Sequence, residues 1–135
     1  MAGLVAQFRD AQIDPLDVSI RAHEITENAV QFELTGETDF GSHSNLDTVD
    51  ANLTGTRQVL YLLRPLLTNR YAALAQLDAM LQRAQRDVRA QHVAGGWTPA
   101  LQLARSPREH IDADLSQLTA LLAPVATICE PRRTS

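Results

Sequence analysis

Apolar positions recur along this chain at intervals of three and four, and no segment shows the strict alternation of a strand. Ile20, His23, Glu27, Val30 and Leu34 keep a 3–4–3–4 spacing. That spacing predicts one stripe of a first helix, starting near Pro15 to Asp17 with Asp14 or Asp17 as its cap. It should stop at Leu34 or Thr35, with Gly36 in the C′ position. Leu46, Val49, Leu53, Leu60, Leu63 and Leu67 are heptad-like, with Thr56 in the one remaining slot, and predict a second helix. Ser44 should cap it, with Asp47 three residues on, and Pro65 should bend or end it in its last turns. A third helix is expected from about Tyr71 to His92, with Leu74, Leu77, Leu81, Ala84 and Val88 on one stripe and Arg83, Arg86 and Arg89 largely off it. Gly95-Gly96 should terminate it, and His92 should favour its C-terminus as a cap.

Trp97 to Arg105 reads as a loop with a partial turn, Trp97 covering one end of the molecule. Ser106-Pro107-Arg108-Glu109 has the form of a capping box with Pro at the first helical position. A fourth helix should then carry Ile111, Leu115, Leu118, Leu122 and Val125 and fray near Pro131. Four helices joined by short loops predict an all-α fold, an antiparallel four-helix bundle over residues 15–130. Residues 1–14 form a short amphipathic helical segment (Leu4, Val5, Phe8) ahead of it, and residues 131–135 a disordered tail.

Composition supports this and narrows the function. At 135 residues the chain fits one core. A hydrophobic content of 44% with only 4% aromatic residues implies aliphatic helix packing rather than aromatic cross-strand pairs. The net charge is −4 with both signs interspersed, so no nucleic-acid partner is expected. All 12 basic residues are Arg, which a solvated surface accommodates as readily as Lys. The lone Cys129 excludes an intrachain disulfide and sits on an apolar run as a small buried hydrophobe. No signal peptide and no membrane span are read, so the chain as written is expected to be cytoplasmic.

The candidate chemistry centres on His23 and Glu27, with Glu24 and Arg21 one step round the helix. A His and a carboxylate four residues apart can hydrogen-bond at the margin of a core, or together grip a metal ion. A metal needs a third ligand, for which Asp39 and His43 in the following loop, or Asp47 and Asp50, are candidates. His110 and Asp114 make a second i, i+4 pair, explained as acidic residues at a helix start. Arg57 and Arg64 read as structural salt-bridge residues, one of them able to reach Glu24 or Glu27, and Asn52 as a structural polar residue. There is no phosphate-binding glycine loop, nucleophile elbow, zinc-protease helix or Cys–His pattern.

The Arg-Ala-His-Glu-Ile start at 21–25, the Thr-Gly-Glu-Thr-Asp-Phe-Gly-Ser loop at 35–42, the Ala-Asn-Leu-Thr-Gly-Thr-Arg segment at 51–57 and Leu-Arg-Pro-Leu-Leu at 63–67 resemble one family. They are similar to the C-terminal half of the imelysin-like domain, in particular of EfeO-type extracytoplasmic iron-uptake proteins. The likeness extends over roughly residues 1–128 and is most specific in residues 1–67. It implies one half of a duplicated helical-bundle domain, a metal-binding cleft between the halves, a periplasmic or lipid-anchored setting and other iron-uptake components as partners. A peptidase activity attributed to some relatives has no complete residue set here, and an enzyme is not expected. The family's Gly-x-His-x-x-Glu motif belongs to the other half; Gly41-Ser42-His43 begins it, but Leu46 stands where Glu would be.

Two functions are therefore expected. One is a metal-handling protein binding iron, or alternatively copper or zinc, through His23 and Glu27 with Glu24, Asp39 and His43 as neighbours. The other is a metal-free helical interaction module that pairs with a partner bundle, either as a homo-oligomer or with a missing N-terminal half of an N-terminally truncated exported protein.

Overall fold

The computed structural model describes residues 14–28 and 45–130, which form an all-α bundle of four helices with one small hairpin. The helices are α1 (Pro15–Asn28), α2 (Asn45–Leu67), α3 (Leu74–Arg89) and α4 (Arg105–Cys129). Between α3 and α4 lie β1 (His92–Val93), β2 (Gly96–Trp97) and a 3₁₀ turn at Ala100–Gln102. Each of α1 and α3 packs on both α2 and α4, while α2 and α4 meet only weakly across the diagonal. Side-chain pairs fix the directions. Asp50 with Arg89, Thr54 with Gln85 and Arg64 with Asp78 run α2 and α3 antiparallel.

The core is aliphatic, as the composition requires. Leu46, Leu60, Leu67, Leu77, Leu81, Ile111, Leu115, Leu118, Leu122, Val49, Val88 and Val125 are almost completely enclosed. The heptad slot of Thr56 is buried too, its hydroxyl donating to the Asn52 carbonyl at 2.9 Å. Pro65 lies inside α2, which ends two residues later, the outcome expected of a proline that withdraws one backbone donor. At the start of α1, the Leu16 N–H donates to Asp14 Oδ1 at 2.9 Å with Pro15 as first helical residue, so Asp14 is the cap.

Several expectations need correction. The buried face of α1 is Ser19, Ala22 and Thr26, not the stripe through Ile20, His23 and Glu27; Ile20 is 38% exposed, His23 half-buried and Glu27 exposed. Ser19 and Thr26 turn their hydroxyls onto the Leu16 and Ala22 carbonyls at 2.8 and 2.9 Å, which removes the cost of burying them. The helix can then lay its smallest side chains against its neighbours. α3 is shorter than expected, because the chain turns at Ala90 into an antiparallel hairpin pairing His92 with Trp97 and Val93 with Gly96. Gly96 takes φ +113°, a conformation open to glycine, and makes a strand pair where none was expected. His92 is consequently not a helix cap; its ring meets Trp97 edge-on at 4.9 Å between centroids. α4 begins at Arg105 with Ala104 as cap and no side-chain cap bond, so the Ser106 capping box does not form. Pro107 is tolerated there, since first-turn N–H groups have no intrahelical acceptor to lose. The expectations for residues 1–13, Val30 to Ser44 and Pro131 onward lie outside the described residues.

Candidate functional site

His23 and Glu27 stand on α1 at the edge of its packed face. Ala22 and Thr26 point inward and are 2% exposed; the next positions along the helix, His23 and Glu27, are turned by one residue's rotation toward solvent. His23 is half-buried, and no hydrogen bond of the described residues involves it. Glu24 is also half-buried and accepts an ion pair from Arg21 Nη1 at 3.0 Å. That pair is largely exposed, worth about 0.2–1 kcal/mol, and holds Glu24 only lightly. Asp39 and His43 lie outside the described residues, so the ligand set expected from sequence is described only for its α1 members. Among the described residues no group of three or more His, Cys, Asp or Glu side chains is placed to hold a metal ion.

Arg57 does not face α1. It lines a groove with Gln82, Gln85, Arg86 and Arg89 on the α3 side, and the expected reach to Glu24 or Glu27 is not made. α2 instead meets α1 through Gly55, Thr56 and Val59, which leave an apolar groove of about 220 Å³ against Val18, Ala22 and Ile25. Arg64 fulfils its structural role by pairing with Asp78 at 2.7 Å. Asn52 is half-buried, and its carbonyl is the acceptor for Thr56.

Two polar clusters join α3 to its neighbours; Asp50 and Asp114 were noted in the sequence, but not with these partners on α3. Gln85, buried at the edge of the leucine stripe, donates to Asp50 Oδ1 at 3.1 Å and to Thr54 Oγ1 at 2.9 Å, while Arg89 reaches the same Asp50 oxygen at 2.7 Å. On the other side Asp114 is buried and pairs with Arg83 at 3.2 Å, with Asp87 beside it. Burial, foremost, and then a hydrogen bond with Asp87 push the Asp114 carboxyl above the usual carboxylate range, against the opposing pull of Arg83. His110, expected to pair with Asp114, is exposed on the same helix. The available sequence signal was Arg83 and Asp87 at i, i+4, directly flanking the Ala84–Val88 stripe.

Cys129 is buried as expected, and burial raises its thiol above the ordinary range, so it is not set up as a nucleophile. No described helix is long and apolar enough to cross a membrane. No family model matches the chain, and no curated protein matches it either.

Proposed function

We propose that this chain handles a metal ion, iron by its resemblance to EfeO-type uptake proteins, and that α1 supplies two ligands, His23 and Glu27. The observation that supports this most is the rotation of α1. Small side chains occupy the packed face, and the imidazole and carboxylate one turn apart remain at the solvent margin instead of being enclosed in the core. A neutral imidazole and a carboxylate suit iron, copper and zinc alike, and two ligands alone bind weakly. Glu24 is near enough along the helix to contribute once Arg21 releases it; Asp39 and His43 are the candidates to complete the set. Titration calorimetry of the chelator-stripped full chain with ferric iron, cupric copper and zinc tests this. Saturable binding weakened at least about tenfold by His23→Ala, the equivalent of about 1.4 kcal/mol, is expected. Equal binding in wild type and variant contradicts the proposal.

A second reading, an interaction module without metal, is favoured by Tyr61 and Leu62 on α2. They are 74% and 66% exposed, side by side between Arg57 and Pro65. Large apolar side chains this open gain most when a partner covers them. The partner in this reading is a second copy of the chain. Light scattering should then give a dimer mass that falls to the monomer mass in Leu62→Asp; a monomeric wild type rejects it.

A further inference from the structure

Asp114 raises a problem of hydrogen-bond chemistry. Its side chain is 4% exposed, its Oδ1 takes Arg83, and its Oδ2 is buried with no donor. The group beside it is another carboxyl, Asp87, within hydrogen-bonding reach. Two ionised carboxylates cannot hydrogen-bond to each other, and an unpaired buried carboxylate oxygen is costly. A single proton removes both difficulties at once, as in other close carboxyl pairs.

We infer that Asp87 and Asp114 hold one proton between them and so form a pH-sensitive clasp between α3 and α4. The groups around the pair favour this at one end and oppose it at the other. Arg83, on α3, balances one negative charge, enough for a pair carrying one proton but not for two carboxylates. Arg86 lies 3.9 Å from Asp87 and is well exposed, so it screens only weakly. His110, exposed a turn before Asp114 on α4, pulls electrostatically against the proton's retention. The clasp borders a small cavity of about 160 Å³ between the two helices, lined by Asp87, Gln91, Ser106, Pro107 and His110. Loss of the proton therefore loosens the helix pair beside this cavity.

The sign follows from linkage. In the unfolded chain both carboxyls titrate in the ordinary range, whereas the folded pair retains its proton to higher pH. The folded state then binds more protons, so the clasp's contribution is complete below the ordinary carboxylate range. It is lost as pH rises through the pair's own higher titration. Asp114→Asn imitates the protonated form permanently, its amide donating to Asp87 and its carbonyl accepting from Arg83.

The test uses the full chain. Carbon-detected carboxyl titration of the wild type should show one of the two groups titrating well above the other aspartates. In Asp87→Asn the Asp114 titration should move back down, since a donor replaces a like charge. Melting temperatures from pH 4 to 8 should fall more steeply in the wild type than in Asp114→Asn, so that the variant gains on it as pH rises. Ordinary titration of both carboxyls, or parallel melting profiles, overturns the inference; if Asp114→Asn does not fold, the wild-type titration alone decides it.

Discussion

Single side chains show how this bundle accommodates polar groups inside. Tyr71, just before α3, donates its hydroxyl to the Leu121 carbonyl on α4. Burial raises the Tyr71 hydroxyl above its ordinary range, in keeping with a phenol that stays protonated as a donor. Tyr71→Phe keeps the ring packing and removes only the bond, and should cost about 0.5–1.5 kcal/mol in urea unfolding. No change would mean that water replaces the phenol. The same scale explains why the buried face of α1 was misjudged from sequence. Ser19 and Thr26 score as polar, yet each satisfies its hydroxyl on its own helix and is then free to pack. Ile20 reads as core and stands at the margin, because the smaller side chains permit a closer helix approach. Hydropathy alone does not carry that information.

Among the elements, α2 was the most legible. Its heptad of leucines with Thr56 is buried along its whole length, since a long amphipathic helix leaves one consistent solution. The stripe of α3 was equally clear, but its end was not. Gly95 and Gly96 signalled a stop, and they form a hairpin whose geometry rests on the φ of Gly96. Nothing crowds a Cβ there, so the substitution Gly96→Ala isolates backbone strain from packing. It should cost about 1–3 kcal/mol and open the hairpin. The single tryptophan, Trp97, lies in that hairpin half-buried, and its fluorescence should shift to the red below the global melting transition. Unchanged emission and stability would show that the hairpin tolerates a side chain at this φ. α4 starts one residue before Ser106, shortly after the 3₁₀ turn, and the expected capping box does not form. There Arg108 donates to the Ala100 carbonyl, tying the first turn of α4 to that connection.

At the scale of the molecule, an all-α bundle followed from helical periodicity and an aliphatic composition, and its polar seams did not. Asp50, Gln85 and Arg89 join α2 to α3, and Arg83, Asp87 and Asp114 join α3 to α4; each requires residues far apart in sequence to meet. A short-range pattern such as Arg83 and Asp87 names half of such a contact and cannot name its buried partner. The site was legible in the same partial way. The i, i+4 spacing of His23 and Glu27 put both on one side of α1, but whether that side faced the core or solvent depended on packing against α2 and α4. In the fold His23 is half-buried and Glu27 exposed.

Metal binding at α1 is tested by thermal unfolding. The chelator-stripped chain is melted alone and with ferric iron, cupric copper and zinc, beside His23→Ala. A ligand bound only by the folded state at about 100 times its dissociation constant adds about 2.7 kcal/mol, a rise of several degrees in a chain of this size. That rise is expected with at least one metal, and its loss is expected in His23→Ala. No rise with any metal, or the same rise in the variant, would contradict it.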